Sequence, residues 1–479
     1  MPVETHVEPF IHLVDVTSDT VLIAWGAFWF QRRTPLEQWR LVETERMEEV
    51  AGRTSLIGHE AEPYGDALVE VLDDDGAVVA AAGTAERSWV QVEGLRPDTP
   101  YRYRVLLDGE EWAAGERWDW APAPRGGYDL APAGRSYDLR FRTWPPPDAA
   151  APLSFAVLGD YGVGTASDSE SSRRQRRVAA AIEAMVVDHD ARLIVTTGDN
   201  VYDGERGGTG SGTGAADHDW WSSFYSPYRY VISRVPVYPS VGNHDASGSD
   251  TSDDRGQMYD NFHTGVRFTG GDQPSSVGPG LNYRVGWGAD IELVAVDSST
   301  APATLGVNRF FEDPEHLRWL HGMFGRPGPR WRIPFSHHPA YCAGPHHGND
   351  DEILATLVPL YRDSGVRLVL AGHEHNFQIS EADGVLHVLT GAGGNLREEL
   401  PENLEPARTV AWAVQGHALL IRIAGDELRL IPVSGVLPDG SLELMLGCGP
   451  SDSVVVPPIT VRLDGPARDG TGRVLRGAQ

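Results

Sequence analysis

Over the first 144 residues apolar and polar positions alternate in short runs, as in His12 to Val16, Val21 to Trp25 and Ala67 to Val71. A period of two predicts half-buried strands, and turn-rich stretches such as Asp73-Asp74-Asp75-Gly76 separate them. From Leu153 the pattern changes. Apolar runs at Ser154 to Leu158, Leu193 to Thr197, Ile291 to Val296, Ile333 to Phe335 and Val366 to Leu370 predict buried strands. Helical stretches are expected near Ser171 to Val187, Pro314 to Phe324 and Glu352 to Asp363, which together with the strands predict an α/β layered region. Beyond about residue 408 the β pattern returns at Ala418 to Ile423, Glu427 to Val433 and a final run from Val454 to Val461. The expected division is an all-β sandwich over 1–147, closed by the stiff Pro145-Pro146-Pro147, an α/β domain over 148–435, and a β extension or tail over 436–479. A chain of 479 residues agrees with more than one core.

Composition narrows the function classes. Hydrophobic residues at 41% and 14 tryptophans can build sizeable cores, while no apolar run reaches the ~18 residues of a membrane span. The start, MPVETHVEPF, has no basic region followed by an apolar stretch, so a cytoplasmic location is expected, with an extracellular one left open. A formal charge of -28 argues against nucleic acid in bulk and against an anionic membrane as partners. All 40 basic residues are arginine, which excludes Schiff-base lysine chemistry and a P-loop lysine. Cys342 and Cys448 are too few for a disulfide framework and are either free thiols or one bridge. The stretches Gly204 to Gly214 and Ser247 to Asp254 read as flexible loops, the first as a lid.

Candidate chemistry collects at strand ends. Gly159-Asp160 follows FAVL, Gly198-Asp199-Asn200-Val201-Tyr202 follows LIVTT, Gly242-Asn243-His244-Asp245 follows VYPSV, and Gly372-His373-Glu374-His375 follows RLVLA. Ser336-His337-His338-Pro339 follows the strand Trp331 to Phe335. Ligand sites in open α/β sheets form beyond strand carboxyl ends, so these clusters can converge although distant in sequence. The glycine before each cluster is expected to let the chain turn sharply. Each piece alone is weak; five together, rich in Asp and His, point to metal.

This set resembles the metallophosphoesterase (calcineurin-like phosphoesterase) superfamily, and within it the purple acid phosphatases, over residues 153 to 395, including Gly391-Ala-Gly-Gly-Asn395. In the wider superfamily the first motif is Asp-x-His, but here that histidine is replaced by Gly162, and Tyr202 stands where purple acid phosphatases carry a tyrosine ligand. The resemblance implies a first metal bound by Asp160, Tyr202 and His375, a second by Asn243, His337 and His373, and Asp199 bridging them. Hard anionic donors suit Fe(III) at the first site, and neutral donors a divalent Fe, Zn or Mn at the second. It further implies hydrolysis of phosphate esters by a metal-bound hydroxide, with small phosphomonoesters as substrates. Separately, Leu95 to Val105 resembles the tyrosine corner of fibronectin type III domains, with Trp25 a core tryptophan.

His244, adjacent to Asn243, is expected to face the substrate phosphate, with Asp245 a candidate to orient it. Plant-type purple acid phosphatases carry a histidine pair comparable to His346-His347, which makes one of these a second substrate-binding or proton-donating group. His338 is assigned to packing, Cys342 to a buried thiol, and Arg173, Arg174, Arg176 and Arg177 to a solvated helix face. Two other readings remain: a phosphodiesterase on the same metals, and an inactive scaffold whose β-sandwich does the work.

Overall fold

The computed structural model describes residues 3–42, 66–124, 126–202, 216–245, 256–267, 276–277, 281–301 and 306–476. The loops expected at Gly204 to Gly214 and Ser247 to Asp254 lie outside them. At the amino end, the strands Glu4–Val16, Thr20–Arg32 and Trp89–Glu93 form one sheet with Arg40–Leu41, and Ala67–Leu72, Val78–Thr84, Pro100–Leu107 and Arg140–Arg142 form a second. Alternation decides what each buries: Ala67, Val69 and Val71 are buried while Leu68 is exposed, and Val69, Val105, Ile23 and Trp25 share a core. The Tyr101 hydroxyl accepts the Arg96 backbone N–H at 3.0 Å, the tyrosine corner that the fibronectin III resemblance implied.

The first hairpin is longer than its alternating segments predicted, and Thr20–Arg32 is buried almost continuously. Its far half meets the α/β region on the face turned from the sandwich core, where Phe10, Phe28 and Phe30 pack with Trp221 and Tyr225. Beside them Glu8, 1% exposed, pairs with Arg229, 0% exposed, at 2.9 Å, and Arg229 reaches Asp119 at 3.0 Å. Past the prolines, Trp144 packs against Tyr238 and Trp287. Pro145-Pro146-Pro147 therefore joins two regions already held together by buried contacts.

Two large sheets face each other in the α/β region. One has the order Val237–Pro239, Ile194–Thr196, Leu153–Leu158, Ala418–Ala424, Glu427–Val436, Leu442–Leu444, with Ile459–Arg462 beside Glu427–Val436. The other runs Ser276–Val277, Asn282–Trp287, Ile291–Ala295, Trp331–Phe335, Leu368–Ala371, Val385–Thr390, Phe377–Ala382, Thr409–Ala413, Gly447–Cys448, Val454–Val455. Along Leu153–Leu158, Phe155 and Val157 point between the sheets toward the layer of Leu293, Ile333 and Leu370, and Ala156 and Leu158 point to the outer helix. That helix, Glu170–Val187, begins at Ser169, whose hydroxyl accepts the Ser172 N–H. Helices Pro314–Gly325 and Asp351–Asp363 cover the outer face of the second sheet, capped by Asp313 and Asp350.

The chain after residue 436 is more than a tail, since its short strands extend both sheets. The expected strand from Val454 to Val461 is two strands in different sheets. Pro457 and Pro458, between them, have no N–H to give to a ladder. Among the described residues no helix is long and apolar enough to cross a membrane.

Candidate metal centre

Parallel pairing of Leu153–Leu158 with Ile194–Thr196 and Val237–Pro239 brings three of the motifs to one sheet end. Parallel pairing of Trp331–Phe335 with Leu368–Ala371 brings the other two to the facing end. Three candidate ligands, Asp160, Asp199 and His373, have left-handed backbone with φ of 52°, 48° and 76°. Such conformations are costly for residues other than glycine and cluster at functional sites. Of the preceding glycines, Gly198 makes the expected turn at φ 86°, whereas Gly242 is needed for close approach: a Cβ there would lie 2.1 Å from Asp199 Oδ1.

All seven expected ligands come together, in two groups. In one, the Tyr202 hydroxyl is 3.4 Å from Asp160 Oδ1, 3.3 Å from His375 Nε2 and 3.0 Å from Asp199 Oδ2. In the other, Asn243 Oδ1 is 2.9 Å from His337 Nε2 and 3.0 Å from His373 Nδ1, and these ring nitrogens are 3.1 Å apart. Asp199 belongs to both, its Oδ1 lying 3.4 Å from His337 Nε2. His337 Nδ1 is 2.8 Å from the Thr197 carbonyl, which accepts its N–H and so leaves Nε2 of the neutral ring with its lone pair facing the cluster. Donor atoms of Asn243, His337 and His373 thus converge on one small space, an arrangement that can hold a cation.

The electrostatics agree. Burial, and then the neighbouring Asp199, raise Asp160 well above the usual carboxylate range. Burial, and then Asp199 and Asp160, raise Tyr202 well above an ordinary phenol. Burial also raises Asp199, but its polar surroundings, the His244 backbone N–H among them, outweigh it, so its net shift is downward. Burial lowers His373 well below an ordinary imidazole and His375 to about 4, which keeps both neutral, the ligating form. Crowded acidic donors beside neutral imidazoles are what a bound cation would stabilise.

The other expected groups separate. His244 gives its backbone N–H to Asp199 Oδ1 at 2.9 Å, and its ring lies 4.6 Å from that of Tyr202. His347 stacks on His373 at 3.9 Å between ring centroids, whereas His346 turns outward, half exposed, with Nε2 3.9 Å from Glu399. Asp245 makes its bonds, among the described residues, away from the His244 ring. Its carboxylate accepts N–H groups of Asn200, Val201 and Gly242 and the Asn200 amide, binding the strand-end loops to each other. His338 bonds Ser298 and packs on the His337 and His373 rings. Both cysteines are free, Cys342 buried and Cys448 exposed, and burial pushes the Cys342 thiol up to about 12.

The arginine-rich helix face is not simply solvated. Arg174 reaches the Gly394 carbonyl at 2.7 Å, and Arg176 reaches those of Thr165 and Ser167 at 2.6 and 2.8 Å. Gly394 and Asn395 in turn give backbone N–H groups to the Asp160 carbonyl, and the Asn395 side chain hydrogen-bonds Tyr202. Sequence reasoning missed Asn200, Glu374, Asn395 and Arg397. Only their places inside or just after the motifs could have signalled them.

The family described as calcineurin-like phosphoesterase matches residues 153–377. Purple acid phosphatase 17 of Arabidopsis thaliana is 26% identical over 268 residues, covering 51% of this chain and 68% of that protein. Purple acid phosphatase 4 of the same plant is 24% identical over 313 residues, covering 60% and 81%. In fold, the chain is similar to the purple acid phosphatase PPD1 of yellow lupin (Lupinus luteus) seeds, with TM-score 0.56 and 14% identity over 91% of this chain and 73% of that one. It is also similar to PhoD, with TM-score 0.60 and 12% identity over 97% and 92%. Residues 153–377 thus match the calcineurin-like phosphoesterase family, and the chain is similar to purple acid phosphatases, a likeness that supports a phosphoric ester hydrolase.

Proposed function

We propose that the seven side chains hold an Fe(III) in the Asp160, Tyr202 and His375 group and a divalent Fe, Zn or Mn in the Asn243, His337 and His373 group, and that the protein hydrolyses small phosphomonoesters. The observation supporting this is the division of donors around one shared carboxylate, Asp199, with phenol and carboxylate on one side and amide and imidazole on the other. When bound, such a pair supplies ionised water near neutral pH and positive charge for the phosphoryl oxygens. The remaining work falls to the chain. Asp199 holds the two groups in register, and its bond from the His244 N–H fixes where that residue sits. His244 beside Tyr202, and His347 on His373, flank the cluster and can donate ring N–H bonds to the phosphoryl and leaving-group oxygens. His346, directed at Glu399, is left out of this role.

Purified protein should contain about two metal ions per chain and absorb visible light through a tyrosinate-to-iron transition. Iron-loaded protein without that band would remove Tyr202 from the ligand set. Asp199→Asn should abolish hydrolysis of an aryl phosphate while the protein still unfolds cooperatively, and unaltered turnover would refute the shared carboxylate. A panel of mono- and diesters should show monoester preference; the reverse would make the protein a phosphodiesterase.

A further inference from the structure

Glu374 lies between two candidate ligands in Gly372-His373-Glu374-His375, but its side chain makes its bonds outside the donor cluster. Its carboxylate is fully buried, with Oε1 2.8 Å from Arg397 Nη1 and Oε2 accepting the His347 backbone N–H at 2.8 Å. Arg397 gives its own backbone N–H to the His375 carbonyl at 3.0 Å, so the pair spans from the metal motif to the loop of His347. That loop is held at its start by bonds from Asn376 and Gln378 to the Gly344 carbonyl, both 3.0 Å. Among the described residues the His347 backbone bonds Glu374 through its N–H and Cys342 Sγ through its carbonyl, the latter at 3.3 Å. A buried carboxylate holds its place only while a cation compensates it, and Arg397 is the cation paired with this one.

We propose that Glu374 and Arg397 are positioning residues for the reaction: their ion pair fixes His347 against the His373 ring, where its imidazole meets the ester oxygen. This rests on the role given to His347 above. An error of about 1 Å in placing such a group costs on the order of a hundredfold in rate, so the pair has a measurable task.

A double-mutant cycle on the metal-loaded protein tests it, with an aryl phosphate and an alkyl phosphate as good and poor leaving groups. His347→Ala should slow the alkyl ester about tenfold more than the aryl ester. Arg397→Gln should reproduce most of that difference, Arg397→Lys should regain part of it, and the double variant should lose no more than about twofold beyond His347→Ala. If Arg397→Gln exerts its full effect even without His347, the inference is wrong while the role of His347 survives. If His347→Ala slows both esters equally, or neither, that role fails and the inference with it. Should Arg397→Gln not fold, Glu374→Met takes its place under the same expectation, since it removes the acceptor of the His347 N–H and leaves no unpaired buried carboxylate.

Discussion

Gly162 stands where the wider superfamily has a histidine, and its surroundings make a sharp prediction for Gly162→Ala. A Cβ at this position would lie 2.0 Å from the Asn200 carbonyl oxygen, 2.4 Å from its carbon and 2.5 Å from Val201 Cα. An ordinary contact of about 3.4 Å requires the two segments to separate by roughly 1.4 Å. Asn200 cannot withdraw freely, because its side chain bonds Tyr161, Thr196, Ser240 and Asp245. The displacement therefore falls on Gly162 and on Tyr202, whose N–H bonds the Gly162 carbonyl at 2.9 Å. Overpacking of this kind costs about 1–3 kcal/mol in stability, but moving the tyrosine by about 1 Å should cost on the order of a hundredfold in kcat/KM. Turnover of an aryl phosphate, metal content and the visible band would be measured together, with Tyr202→Phe as the reference for a lost ligand. Gly162→Ala protein with wild-type band, metal content and turnover would refute the claim that close approach at Gly162 is what admits Tyr202.

Two more predictions concern stability. His387 and His417 are fully buried, and burial lowers them to about 3 and about 4, so below pH ~6.5 the unfolded chain binds protons that the folded chain refuses. Stability should therefore fall as pH drops from about 6.5 toward 4, by up to roughly 1.4 kcal/mol per pH unit for each group. His387→Phe should flatten that slope in denaturant titrations, and an unchanged slope would exclude His387 as a source. Arg229→Leu removes the 2.9 Å partner of the buried Glu8 carboxylate, leaving it Arg117 at 3.5 Å and His6 at 2.9 Å, and should cost up to about 3–5 kcal/mol in a denaturant midpoint analysis, whereas a loss below about 1 kcal/mol would mean that the pair does not hold sandwich to α/β region.

Much of the molecule was legible in the chain because the signals are local. Alternation marked Ala67–Leu72 and its neighbours, continuous apolar runs marked Leu153–Leu158 and Leu368–Ala371, and Asp160, Asp199, Asn243, His337 and His373 each follow such a run directly. A strand end is a property of a dozen residues, so the donors and their common side of the sheets follow from reading along the sequence. What each neighbouring side chain does depends on segments far away. Asp245 bonds the Asn200 loop, His347 and not His346 meets the cluster, and Arg174 grips Gly394 from a helix 220 residues earlier. Those outcomes are set by which loop packs against which, a matter of a few ångströms across elements remote in sequence, and no periodicity carries that information. The same holds for Val454 to Val461, where apolar composition suggested one strand and the two sheets each took half. Sequence determined the donors and where strands deliver them; tertiary packing decided which second residues hold them, because only the folded chain brings Glu374, Arg397 and His347 within bonding distance.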